Sequence, residues 1–261
     1  MTAPVFVCPG AATAAVGDVL VLDGAEGHHA SDVQRIAAGE RLDLVDGRGR
    51  RATGVVVVAL PGRVEVRVDG VSDDDDRRVV LVQALAKGGR DAAAIEAATE
   101  LGVTAVVPWA ATRGIVEWRG DKVEKGRYRW AAVVGAAAKV ARRALVPEVA
   151  PLVTTAGLVS RVREVVGGGA RVVVLHETAD VALADLPWGD AKGRPQADLW
   201  IVVGPEGGIA DGEVEALAAA GASVARLGPH VLRSSTAGPA AIAAIAALSG
   251  AWSLPHRDAA P

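Results

Sequence analysis

The chain has 261 residues, 51% apolar and 23% charged, which is enough apolar mass for one large core or two smaller ones and too much for a disordered chain. A net charge of −3 excludes a generally basic nucleic-acid protein, and the single cysteine, Cys8, excludes an internal disulfide or a cysteine-based zinc cluster. The first residues carry no basic segment followed by a continuous apolar one, and the most apolar helix candidate, 237–252, is shorter than the ~20 residues of a bilayer span. A soluble cytoplasmic protein with neither membrane nor metal partner is expected.

Residues 1–72 read as short strands at 19–22, 41–45, 53–58 and 64–68, with turns at Gly24, Asp46-Gly47, Pro61-Gly62 and Asp69-Gly70. One short helix is predicted over 28–36. Strands this short and this close predict a small β-barrel. The acidic run 72–76 is polar and self-repelling, so it is read as the boundary between domains 1–72 and 77–261.

Beyond that boundary the rhythm changes. Apolar strands at 79–86, 103–109, 171–175, 199–203 and 223–227 alternate with helices at 91–101, 122–144, 212–220 and 236–252. Asp211 is placed to cap the third of these helices, and 167–169 reads as a loop. The alternation predicts an α/β domain whose parallel sheet is covered on both faces. The last helix is apolar nearly all round, which fits burial in a core or between two subunits.

Charge is unevenly spread. Residues 113–143 hold nine Arg or Lys against Glu117, Asp121 and Glu124, a basic island in an otherwise acidic chain. Such an island is either a phosphate-facing surface or a solvated helix face. Lys87-Gly-Gly-Arg90 follows a predicted strand and offers a second cationic loop.

Two loops stand out. The strand at 199–203 ends in Gly204-Pro205-Glu206-Gly207-Gly208, where glycines permit close backbone approach. The strand at 223–227 is followed by Gly228-Pro-His-Val-Leu232-Arg233-Ser234-Ser-Thr236, in which Arg233 is the only formal charge between Arg226 and Arg257. Read singly, each is also an ordinary strand-to-helix turn. Together they are a paired construction at the carboxyl ends of sheet strands, where open α/β sheets bind ligands. His176-Glu177 follows a third strand end. His28-His29 is a poor metal site, and no Ser/His/Asp set has a recognisable spacing.

These two loops, with His29-Ala-Ser-Asp-Val-Gln-Arg35, Ala86-Lys-Gly-Gly-Arg90, Thr99-Glu-Leu-Gly-Val103 and Arg143 before Val146-Pro-Glu148, resemble the SPOUT-class RNA methyltransferases over nearly the whole chain. Within that class the chain is similar to the family that methylates N3 of a uridine in 16S ribosomal RNA. The resemblance implies a PUA-like barrel, a C-terminal domain with a deep trefoil knot, S-adenosylmethionine held in the knot, and a homodimer whose sites lie near the subunit interface, for which the apolar last helix is the expected contact. Carried over by position, Gly204, Pro205, Glu206, Gly207, Gly208, Leu227, Gly228, Leu232, Ser234 and Thr236 would hold the cofactor, with His176 and Glu177 beside it. Arg233 would be the catalytic residue. Arg35, Lys87, Arg90, Arg113 and Arg143 would hold RNA of the 16S molecule or the assembled small subunit. Where the family reads Thr-Glu-Thr, this chain reads Ser234-Ser235-Thr236. The same fold without catalysis would be an RNA- or nucleotide-binding module, and another RNA position would use the same motifs.

Overall fold

The computed structural model describes residues 3–74, 78–188 and 198–252. It divides into two units, one grouping residues up to 74 with 134–147, the other grouping 78–133 with 148–252.

In the first unit, β1 (Val5–Val7), β2 (Val19–Leu22), α1 (Gly24–His28), β3 (Arg41–Val45), β4 (Arg50–Leu60) and β5 (Arg63–Asp73) form a five-stranded sheet in the order β1-β3-β4-β5-β2. Only β1 and β3 run parallel. β4 and β5 are longer than the sequence pattern predicts, because their hairpin continues past two register shifts, at Thr53/Gly54 and Val56/Val58. Such bulges bend a strand and increase its twist. The two-residue turn places Gly62 at φ 74°, the left-handed geometry that tight hairpins favour. Phe6, Leu22, Leu42, Leu44, Val64 and Val66 fill the core. The helix expected over 28–36 is instead α1 followed by one wide turn at His29–Val33.

The second unit contains β6 (Val79–Ala84), α2 (Arg90–Glu100), β7 (Ala105–Ala110), the first part of α3 (Asp121–Val140), β8 (Glu148–Val149), β9 (Val153–Thr154), α4 (Thr155–Gly167), β10 (Arg171–Leu175), β11 (Leu199–Val203), α5 (Asp211–Ala219), β12 (Ser223–Ala225) and α6 (Ser234–Leu248). All its strands are parallel, in the order β12-β10-β11-β6-β7-β8, with β9 also on β7. Alternate residues face opposite layers. Val80, Val82, Val107, Trp109, Val174 and Val202 pack with Leu158 and Val162 of α4 and Leu217 of α5. On the other face α6 lies so close that a Cβ on Gly238 would stand 2.9 Å from Leu81 Cδ1. A helix can approach a sheet that closely only through a residue with no side chain.

α4 has no counterpart among the predicted helices. It begins where the Thr154 side chain accepts the Gly157 N–H, a standard N-cap. α5 is capped differently from expectation. Ala210 holds the cap position, Asp211 is the first helical residue, and Glu213 reaches back to accept the Ala210 N–H at 3.1 Å.

The segment 134–147 packs with the first unit. α3 stops at Val140 rather than at 144, and Arg142 turns the chain with φ 57°. Leu145 then bridges to Gly47, and the Val146 N–H donates to Gly47 O at 2.9 Å. The acidic run is not all free linker. Asp73 ends β5, and Asp74 accepts from Arg51 Nη2 at 2.9 Å. Residues 75–77 of the expected boundary lie outside the described residues.

Candidate functional site

A cavity of about 330 Å³ opens in the second unit at the carboxyl ends of β10 and β11. Its walls come from the turns after β6, β10 and β11 and from the loop that enters α6. Ligands of open parallel sheets bind in this position, because the loops converge there while the helices cover the faces.

The turn after β11 is the floor. Gly204 lies so close to Ile209 that a Cβ would come 2.6 Å from Ile209 Cγ1. The turn closes as the Gly208 N–H donates to Pro205 O at 3.0 Å, with Gly208 at φ 74°. Gly207 does not line the cavity. It lies against the Arg113 backbone, where a Cβ would stand 2.9 Å from the carbonyl oxygen. Glu206 holds the turn after β6, accepting from Lys87 N at 3.2 Å and Arg90 Nη1 at 3.0 Å. Burial pushes its carboxyl up. Its own backbone N–H, Arg90 and Lys87 together outweigh that, and the pKa falls below the ordinary value.

His176 and Glu177 stand at the end of β10 and line the same cavity. His176 Nδ1 is held by Thr178, whose hydroxyl lies 2.9 Å away and whose N–H lies 3.4 Å away, which fixes the ring on the cavity wall. The segment they open is fastened to the end of β12, with Arg226 N donating to Val181 O and Leu183 N to Arg226 O, both at 2.8 Å. Leu227 and Gly228 line a smaller neighbouring cavity of about 120 Å³, which shares Leu175, His176, Glu177, Val231 and Leu232 with the larger one.

Arg233 is the residue before α6, exposed and on the cavity wall. Its carbonyl accepts from Thr236 and Ala237, which fixes its backbone and leaves the guanidinium without a hydrogen bond or ion pair among the described residues. Ser234 is buried at the wall with its hydroxyl unpartnered. A buried hydroxyl without a partner is costly unless a ligand supplies one. Thr236 is exposed and lines neither cavity.

The cations expected to meet RNA are dispersed. Arg90 lines the cavity itself, and Lys87 is exposed beside it. Arg113 is half exposed and spans from Ile209 O at 3.3 Å to Asp211 at 3.6 Å, so it also braces the floor. Arg35 is exposed in the first unit at φ 56°. Arg143 departs from expectation. It is buried in the first unit, 9% exposed, which leaves a phosphate almost no surface.

Sequence reasoning missed several contributors, among them Val231, which lines both cavities. Leu175, Val203 and Ile209 supply apolar wall; as the last residues of apolar strands or the first beyond a glycine turn, they read only as core. Glu213 was visible only as an acid in a first turn. It is buried and accepts from Thr112 N and Oγ1 at 2.9 Å and from Thr155 Oγ1 at 2.5 Å. One carboxylate thereby joins the loop that carries Arg113 to the starts of α4 and α5. Among the described residues there is no cluster of three potential metal ligands, and no helix is long and apolar enough to cross a membrane.

The RNA methyltransferase domain family matches residues 73–246, and the RNA methyltransferase PUA domain family matches residues 22–69. Ribosomal RNA small subunit methyltransferase E of Mycobacterium bovis is 46% identical over 93% of this chain and 91% of its own length. Its Bacillus subtilis namesake is 28% identical over 86% of this chain and 88% of its own. The crystal structure of ribosomal RNA small subunit methyltransferase E from Neisseria gonorrhoeae bound to S-adenosyl methionine superposes with a TM-score of 0.79, at 27% identity, over 95% of this chain and 98% of that one. With a SPOUT-type parallel sheet, a PUA-like first unit and a cavity at the strand ends, the chain belongs to the RNA methyltransferase family that includes ribosomal RNA small subunit methyltransferase E.

Proposed function

We propose that this protein transfers a methyl group from S-adenosylmethionine to N3 of a uridine in 16S ribosomal RNA. The observation that carries the reading is the free guanidinium of Arg233 on the wall of a cavity that is otherwise apolar wall, backbone and a few fixed polar groups. The buried Ser234 hydroxyl, the His176 imidazole and the glycine floor fit a cofactor with an apolar body and polar ends. Gly204, Pro205, Glu206, Gly208 and Leu232 line that space, Leu227 and Gly228 the adjoining one, and Gly207 sets the floor from behind. The cofactor supplies a methyl on a sulfonium, already a strong donor.

The protein's task is then position and charge. Uracil N3 must lose its proton as the methyl arrives, and negative charge spreads onto O2 and O4. Arg233 is always protonated and offers several donors to those oxygens. The base must leave its stack to reach the cavity. Lys87, Arg90, Arg113 and, from the first unit, Arg35 are the proposed backbone contacts. The reading also includes a trefoil knot, a cytoplasmic location and a homodimer through α6, whose exposed Leu248 and the following Trp252 leave apolar surface at its end.

The test is mass mapping of modified nucleosides in 16S ribosomal RNA from a strain lacking the protein. The expected result is loss of one N3-methyluridine, restored by the wild-type gene and not by Arg233→Ala. Persistence of that nucleoside would leave an RNA-binding module, or an enzyme for another position.

A further inference from the structure

α3 carries a face that nothing in the second unit covers. Lys122, Lys125, Tyr128 and Arg129 are all exposed. Tyr128 is the only tyrosine of the chain and is 76% exposed, while Trp130, two residues on, is fully buried. Among the described residues no ion pair engages Lys122, Lys125 or Arg129. Of the two acids in the first turn, Glu124 pairs with Arg127 at 3.3 Å, and Asp121 is the first residue of the helix.

Helix geometry orders these groups. Residues 122, 125 and 129 advance by about 4.5 and then 6 Å along the axis and stay within one narrow stripe. That is the scale of one to two nucleotide steps along a strand. Tyr128 stands beside this row with its ring in solvent. Uncompensated cations in a row draw a polyanion, and an exposed ring among them is a stacking platform for an unpaired base. The basic island therefore resolves into an aligned row rather than a diffuse solvated face.

We propose that this face of α3 is a track for a single-stranded segment of the RNA substrate, with Lys122, Lys125 and Arg129 on successive phosphates and Tyr128 stacked on a base. The inference rests on the reading of the protein as a ribosomal RNA methyltransferase, and it adds a surface away from the cofactor cavity.

The probe is a fluorescent single-stranded oligonucleotide spanning the modified uridine, titrated at several salt concentrations, beside methylation of whole small subunits. Tyr128→Ala should weaken binding about tenfold, and Tyr128→Phe should restore it, because the ring is what stacks. Lys122→Gln/Lys125→Gln/Arg129→Gln should lower the salt slope by about 2, at roughly 0.7 per phosphate of a single strand. Cofactor affinity should stay at the wild-type value in all three variants, which shows that they fold. An unchanged slope with unchanged Tyr128→Ala binding would overturn the track even if the wild-type protein methylates 16S RNA. So would loss confined to duplex RNA. Conversely, a wild-type protein that transfers no methyl while these variants lose RNA affinity would sink the enzymatic reading and leave the track standing.

Discussion

Arg90 Nη1 donates to Glu206 Oε1 at 3.0 Å, and the same oxygen accepts the Lys87 N–H at 3.2 Å. The contact joins the turn after β6 to the turn after β11, 116 residues apart in sequence. Two walls of the cavity are therefore held by one carboxylate.

Glu206→Ala should release both. The cofactor dissociation constant is expected to rise about three- to tenfold, equivalent to ~1 kcal/mol for a partly exposed charge-assisted contact. Glu206→Gln keeps an acceptor for Lys87 and should recover part of the loss. Isothermal titration of cofactor into each variant reads this directly, and wild-type affinity in Glu206→Ala would separate the pair from the site.

Glu213 is expected to act on stability. Burial pushes its carboxyl up, but Thr155, the Thr112 and Ala210 N–H groups and the Thr112 hydroxyl outweigh it, and the pKa falls below the ordinary 4.5. A lowered folded-state pKa stabilises the protein fully above the unfolded value, and the contribution is lost as pH falls through the folded one. Glu213→Ala should cost about 2–4 kcal/mol at pH 7 by leaving buried donors unpaired. Denaturant unfolding between pH 3 and 7 should show a smaller acid-side loss in the variant than in the wild type.

Gly207→Ala tests the floor. The new Cβ would stand 2.9 Å from Arg113 O and 3.2 Å from Arg113 Cβ, and the obstacle is backbone rather than a flexible tip. Overpacking of this kind costs about 1–3 kcal/mol. A lower melting temperature and weaker cofactor binding are expected together, whereas an alanine at Gly212, a helical position with open space around it, should leave cofactor binding unchanged and raise the melting temperature slightly.

Cys8 reports on the first unit. It is buried, 5% exposed, and burial pushes its thiol pKa up. As the only cysteine it should resist a thiol reagent in the native protein and react at the rate at which that unit opens. Labelling at the speed of a free thiol would mean that the Val21 carbonyl, 3.7 Å from Cys8 Sγ, and the core around Ala11 do not shield it in solution.

What was legible in the sequence was whatever a period or a breaker makes local. β10 and β11 are continuous apolar runs and were placed to the residue. The paired Gly-Pro loops pointed to the carboxyl ends of the right strands. α4 escapes a local pattern, although Leu158, Val162 and Val166 repeat every four residues, because the glycines at 167–169 that end it read as a loop. The end of α3 was invisible for another reason. Arg142 adopts φ 57° without being glycine, and only tertiary packing imposes that. The same packing buries Arg143, which side-chain type alone assigns to the surface. Glu213 needed three partners brought from positions 112, 155 and 210, and no local pattern announces such a meeting.

The strand order also governs how the protein is made. β6 finds β7 within about 20 residues, but its other edge is filled only by β11, at residues 199–203. At roughly 5–20 residues per second of synthesis, the nascent chain must carry an apolar strand with one unpaired edge for about 6 to 24 seconds. An open apolar edge of this kind is a template for association with other chains. The interval lengthens as elongation slows, so the fraction of chains lost to association should rise with slower synthesis, before any mature contact is lost.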